Sequence, residues 1–193
     1  MAGSYALVSV PKKGANAGRP KGKKSYVIFF RWADVKTYTR DEKGVKVTAF
    51  AMQDTKKPLA VYATTSTITA YHTSEGDADA RGFIHHVELE HPGSTVEYDE
   101  FVDNNINEAL GAIVINCDGT AKIAGTPCQP LGITNADGQD NKDGCKNILK
   151  LASELRGPVL GHIDVTLIPQ TDSEEINKEL SLAPASDAFS VGV

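Results

Sequence analysis

A chain of 193 residues, 40% hydrophobic and 23% charged, is long enough to build an independent core without disulfides or a structural metal. A net charge of −5 argues against wholesale coating of nucleic acid or of an anionic membrane, and no apolar run approaches the ~20 residues that a membrane span needs. Three cysteines (Cys117, Cys128 and Cys145), no CxxC spacing and no secretory apolar region before residue 30 point to reduced thiols and synthesis in a cytoplasm.

Residues 1–25 read as a basic arm. Residues 1–31 hold Lys12, Lys13, Arg19, Lys21, Lys23, Lys24 and Arg31 and no acid. Within the arm, Ser4 to Val10 is a short strand or an arm that pairs with something else. Pro11 to Lys24, rich in Gly, Pro and Lys, cannot bury enough apolar surface to order itself.

A core domain is expected over residues 26–170. Tyr26 to Arg31 is a short apolar strand. Val35 to Arg40 and Val45 to Met52 flank a turn at Asp41-Glu42-Lys43-Gly44, where Gly44 suits a positive φ. Leu59 to His72 carries the longest strand signal, its β-branched residues suiting a pleated, half-buried surface. A polar loop, Ser74 to Arg81, precedes a strand from Phe83 to His91, with Phe83, His85, Val87 and Leu89 on one face. Pro92-Gly93 ends it, and Ser94 or Thr95 can cap a helix over Thr95 to Leu110. Gly111 to Leu131 reads as two strands folded on a Cys117-Asp118-Gly119-Thr120 turn. Gly132 to Gly144 is a loop by composition. Asn147 to Leu155 has apolar residues at helical spacing (Ile148, Leu151, Ala152, Leu155), which favours a short helix over a strand. Val159 to Ile168 is a strand. Residues 171–193 form a weakly helical acidic tail, with Asp172, Glu174, Glu175, Glu179 and Asp187 against Lys178.

These elements predict a mainly β protein, a β-sandwich or open barrel with one or two flanking helices and extended terminal arms. The basic arm and the acidic tail suggest complementary contacts between copies of the chain. The residues expected to make them are Tyr5, Leu7, Val8, Lys21, Lys23, Lys24, Asp172, Glu174 and Glu175.

No pattern of residues supports catalysis, a metal or a cofactor. Aligning the Asp-rich loop on an EF-hand puts Lys150 where a bidentate carboxylate is needed. Gly22-Lys23-Lys24-Ser25 resembles a P-loop but has lysine in place of the metal-binding hydroxyl, and Ala17 where the first glycine belongs. His85 and His86 are adjacent on one strand and face opposite sides. There is no Gly-x-Ser-x-Gly elbow. Glu88 and Glu90, about 7 Å apart on one strand face, fit a solvated surface better than a glycosidase pair. The hydroxyls of Thr65 to Thr69 occur once, without the repeated neighbours of a binding array. The chain is expected not to be an enzyme and to need no cofactor.

From Gly82 to Gln170 the chain runs GFIHHVELEHPG, a polar helix, LGAIVINCDGTAKIAGTPCQPLGI and GHIDVTLIPQ. This order resembles virion structural proteins of tailed bacteriophages, of the tail-tube and neck-ring type, particularly phages of gut Bacteroidota. The resemblance covers about half the chain and rests on residue types. It implies a non-catalytic, ring-forming subunit of sixfold or twelvefold symmetry between portal and tail or along a tube. Other virion proteins (portal, tail or neck components) would be its partners. It also implies location in the virion after synthesis in the bacterial host cytoplasm, with genome DNA passing a lumen without specific binding and no membrane contact. A soluble β-sandwich module that binds a glycan or cell-surface ligand at a concave site around Trp32, Tyr62 or Tyr71 is the alternative.

Overall fold

Two segments of continuous apolar sequence sit at the centre of the molecule. In a strand covered on both faces every position is buried, so alternation gives way to an apolar run. The structure, a computed structural model, describes residues 9–142 and 144–182. In it Val27, Ile28, Phe29 and Phe30 of strand β1 (Lys23–Arg31) and Leu110 to Ile115 of β7 (Leu110–Asn116) are buried on both sides. Between them in sequence come β2 (Val35–Arg40), β3 (Val47–Met52), β4 (Leu59–Tyr62), β5 (Thr69–Glu75), β6 (Gly82–Pro92) and helix α1 (Val96–Asn105). After β7 follow β8 (Thr120–Ala124), β9 (Leu131–Asn141), β10 (Gly144–Ser153), β11 (Gly161–Asp164) and α2 (Glu174–Leu180).

The protein is mainly β, as expected, with a nine-stranded antiparallel open sheet, a two-stranded sheet and two short helices. On one side of β7 lie β1 and then β4; on the other lie β8 and then β11. At Leu110–Leu131 the sheet passes from β7 to β9, and continues through β10 and β6 to β5. The two halves pack through one core. Val27, Phe29, Ala112 and Val114 from β1 and β7 cluster with Val87, Leu89, Leu149 and Leu151 from β6 and β10, and with Tyr98 and Phe101 of α1. The opposite face of β1 and β7 (Ile28, Phe30, Ile113, Ile115) is covered by Val47 and Phe50 of the β2–β3 hairpin and by Leu180 of α2. The helix begins where expected: Thr95 accepts a hydrogen bond from the Tyr98 amide at 3.3 Å, satisfying a free first-turn donor.

Four expectations are corrected. Of residues 132–144, expected to be a loop, 132–141 form most of β9, paired along β10 from Leu131–Ser153 to Asn141–Gly144, and Gly144 opens β10. Residues 147–155, expected to favour a helix, belong largely to β10, where Leu149, Leu151 and Ser153 are buried at strand spacing. The long strand from Leu59 to His72 is two strands. Thr67 interrupts it by bonding the Thr64 carbonyl through both its amide (2.9 Å) and its hydroxyl (2.8 Å). Such a hydroxyl competes with the ladder for backbone partners. The strand from Val159 shrinks to β11, because Asp164 turns its side chain onto the Thr166 amide at 3.0 Å and starts a 3-10 turn over Val165–Leu167.

Two glycines of the β7–β8 hairpin are needed for different reasons. Gly119 has φ +78° at the tip, and a Cβ there would meet nothing within 4 Å. Gly111 has no such backbone demand, but a Cβ would come 2.2 Å from the Phe30 ring. Gly119→Val is therefore expected to cost about 1 kcal/mol through backbone strain alone. Gly111→Ala is expected to cost about 1–3 kcal/mol by overpacking the core. Urea denaturation of both variants checks this order, and an unchanged midpoint for Gly111→Ala would mean that Phe30 has room to move.

Candidate assembly surface

The nine residues expected to join copies fall into three groups. Tyr5, Leu7 and Val8 lie outside the described residues, as does most of the Ser4–Val10 segment. The arm residues 9–22 are all exposed, Val10 at 95%. Lys21 anchors the root of this arm. Its Nζ lies 2.6 Å from an Asp118 carboxylate oxygen and donates to the Thr120 hydroxyl at 3.1 Å, over the β7–β8 turn. The Lys21 ammonium and the Thr120 hydroxyl hold the Asp118 carboxyl down to about 2. Lys23 and Lys24 belong to β1 rather than to a free arm, Lys23 opposite Asn116. Lys24 donates to the Glu179 carbonyl at 2.8 Å. Asp172 precedes α2, and Glu174 and Glu175 fill its first turn, where the helix dipole favours carboxylates. The root of the basic arm and the acidic helix thus meet within one protomer.

The sheet leaves backbone groups open at its margins. β5 pairs with β6 alone. The His85 amide donates to the Ser153 hydroxyl on β10, so odd-numbered residues of β6 turn their backbone groups toward β10 and even-numbered ones toward β5. Register then makes Thr69, Tyr71 and Thr73 the bonded partners of β6 and turns the N–H and C=O groups of Ala70, His72 and Ser74 outward. β9 pairs with β10 throughout but touches β7 only at Leu131. β11, at the far margin, is partly covered, since the His162 amide donates to the Val45 carbonyl at 2.9 Å.

A third margin belongs to β4, which lies beside α1. Two cavities, of about 310 Å³ and 220 Å³, adjoin it, and Leu59 and Phe101 line both. In the larger, Tyr62 faces His91 and Tyr98. The His91 and Tyr98 rings stack at 4.6 Å, and the His91 Nδ1 lies 2.9 Å from the Tyr62 carbonyl oxygen. The buried Tyr98 hydroxyl and the His91 Nε2 have no hydrogen-bond partner among the described residues. Burial pushes the Tyr98 phenol up to about 12, so it is a proton donor at any ordinary pH. Sequence reasoning missed this margin. Its signal was Lys56-Lys57-Pro58 ahead of a four-residue strand, since lysine and proline guard exposed sheet edges.

The side chains weighed for chemistry have structural partners. The Gly125 amide donates to the His85 Nδ1 at 2.9 Å, so the Nε2 carries the proton and donates to the Pro158 carbonyl at 2.7 Å. Burial depresses the His85 pKa, keeping the ring neutral. Glu88 and Glu90 pair with Lys150 and Lys146 across the β6–β10 ladder, at 3.4 and 3.2 Å. The Lys122 Nζ lies 2.6 Å from the His162 Nε2, on facing positions of β8 and β11. Partial burial lowers both pKa values, with Lys21 adding repulsion to each. Cys117, Cys128 and Cys145 are free thiols. Among the described residues no three or more His, Cys, Asp or Glu side chains come together to hold a metal ion, and no helix is long and apolar enough to cross a membrane. Trp32, expected at a concave surface, is 8% exposed and packs against Phe30 and Tyr38 in the core. Tyr62 and Tyr71 are exposed but sit on different strands, β4 and β5. Compared with models of protein families, with curated proteins and with solved structures, the chain matches none.

Proposed function

We propose that this protein is a non-catalytic structural subunit of a tailed-bacteriophage tail or neck, and that copies of it assemble into a ring or tube between portal and tail. The observation that carries this is the open sheet with unlike margins. Two of them are β5, with the outward backbone groups of Ala70, His72 and Ser74, and residues 132–140 of β9, which pair with β10 on one side only. Two different edges on one subunit favour head-to-tail association, which closes into a ring when the rotation allows. Unpaired strand edges on a stable domain are otherwise a route to aggregation. The resemblance carried by LGAIVINCDGTAKIAGTPCQPLGI supports the same reading, now that those residues form β7, β8 and the turn into β9. Other portal, tail or neck proteins would meet the two faces of such a ring, and DNA would pass its lumen without specific contacts.

Negative-stain microscopy and sedimentation of the purified chain, alone and co-expressed with portal and tail proteins, test this. Rings or tubes of uniform diameter are the expected result. A chain that remains monomeric at high concentration in both settings would refute it.

A further inference from the structure

The margin of β4 has the makings of a receptor for an extended segment. The Ala63 amide donates to the Ser25 carbonyl at 2.8 Å, so Val27–Val61 and Phe29–Leu59 are the hydrogen-bonded pairs of β1 and β4. Ala60 and Tyr62 therefore turn their backbone groups away from β1. The Tyr62 carbonyl accepts from His91, while the Ala60 N–H and C=O and the Tyr62 N–H have no partner among the described residues. Beside this rim the two cavities meet at Leu59 and Phe101, and α1 forms the wall. That helix carries Glu97, Asp99, Glu100 and Asp103 and no lysine or arginine. An open strand edge, apolar pockets for alternate side chains and a helical wall together form the geometry of strand addition.

The preferred occupant follows from that chemistry. It is an extended segment, apolar at every second position and followed by cations. The chain contains one: Tyr5-Ala6-Leu7-Val8, followed by Lys12 and Lys13. We propose that the groove receives Tyr5–Val8 of a second copy of this chain, added to β4 as an extra strand. This rests on the reading of the chain as a self-assembling subunit. Residues two apart on a strand lie about 7 Å apart on one face, so Tyr5 and Leu7 reach the two adjoining cavities. Lys12 and Lys13 then run beside the carboxylates of α1. Residues 9–22 are exposed throughout, held to their own protomer at the root by Lys21 on Asp118 and by the Cys117 amide on the Gly22 carbonyl, so the arm ahead of that root is accessible to a neighbour.

Cross-linking in the full chain tests this, with Cys117, Cys128 and Cys145 replaced by serine. Chains carrying Leu7→Cys are mixed with chains carrying Tyr62→Cys, and with chains carrying Thr48→Cys as an exposed control. The expected result is a disulfide-linked dimer of Leu7→Cys with Tyr62→Cys, formed about tenfold or more above the control pair. Leu7→Asp, with circular dichroism and the urea midpoint checking that the variant folds as the parent does, is expected to weaken self-association of the otherwise native chain about tenfold or more by sedimentation. Cross-linking no greater than the control overturns the proposal. So does a double variant, Leu7→Cys with Tyr62→Cys, that links only within one chain at high dilution. Rings that form without the cross-link overturn the arm docking and leave the assembly reading standing. The cross-link with discrete dimers, and no rings or tubes, upholds the docking and overturns the virion reading.

Discussion

A chain carrying His72→Pro is expected to remain folded and to sediment as a monomer under conditions in which the parent chain assembles. His72 is the middle outward-facing residue of β5: its N–H points away from β6, toward any strand that would extend the sheet. Proline removes that donor and places a ring on the edge, yet edge positions whose N–H faces solvent tolerate proline. Within the protomer the substitution removes the edge-on packing of the His72 ring against Phe83, at 4.9 Å. Stability should fall by about 1 kcal/mol or less. Thr73→Pro, one residue along, provides the contrast. Its N–H belongs to the ladder with Ile84, so this variant is expected to unfold at markedly lower urea concentration. Sedimentation velocity and circular dichroism on the two variants separate edge from ladder. Assembly that persists in His72→Pro would remove β5 from the interface.

How far the sequence reveals this protein depends on which force decides each segment. Where burial decides, the pattern is legible. YVIFF, LGAIVI and the alternation of β6 all form strands, because an apolar run or an alternating one leaves little else for a buried backbone to do. Where pairing decides, it is not. Residues 132–141, GITNADGQDN, contain poor strand formers and are largely exposed, and they become β9 because β10 supplies a continuous row of partners. In NILKLAS the helical spacing of Ile148, Leu151 and Ala152 coexists with the strand spacing of Leu149, Leu151 and Ser153, and only the packing of Leu149 and Leu151 against β1 and β7 selects the second. The candidate surface was legible in kind but not in place. The cations of the arm and the acids of the tail were visible as charge, but Lys21 turns onto Asp118, and Lys24 onto the carbonyl of Glu179. The open rim of β4 depends on where a strand ends, and Thr67, whose hydroxyl accepts from the Glu90 amide at 3.0 Å, sets that end from another part of the sheet.

His85→Ala is expected to cost about 3–5 kcal/mol, a large loss for one polar side chain. The ring is fully buried and joins three segments distant in sequence: β6, the turn at Gly125 after β8, and Pro158 ahead of β11. Truncation leaves a cavity, and it strips partners from a buried amide and a carbonyl at once. Neighbouring bonds add to the same junction: Gln129 donates to the Phe83 carbonyl at 2.6 Å and to the Ser153 hydroxyl at 3.0 Å. Titration gives an independent reading. Burial depresses the pKa of His85 below its ordinary 6.5; the bond to the Pro158 carbonyl opposes this, and the nearby Arg40, His72 and His86 push the same way as burial. Between the unfolded and the folded pKa the unfolded chain binds the proton and the native one does not. The stability contributed by the neutral ring is therefore complete above pH 6.5, declines as pH falls below it, and stops declining once the folded pKa is passed. In His85→Gln, which does not titrate, that part of the decline should vanish. Urea midpoints for the parent chain and for His85→Gln, measured from pH 8 to pH 5, would show the two curves converging as the pH drops. Parallel curves would mean that the His85 ring is protonated as readily in the native protein as in the unfolded chain.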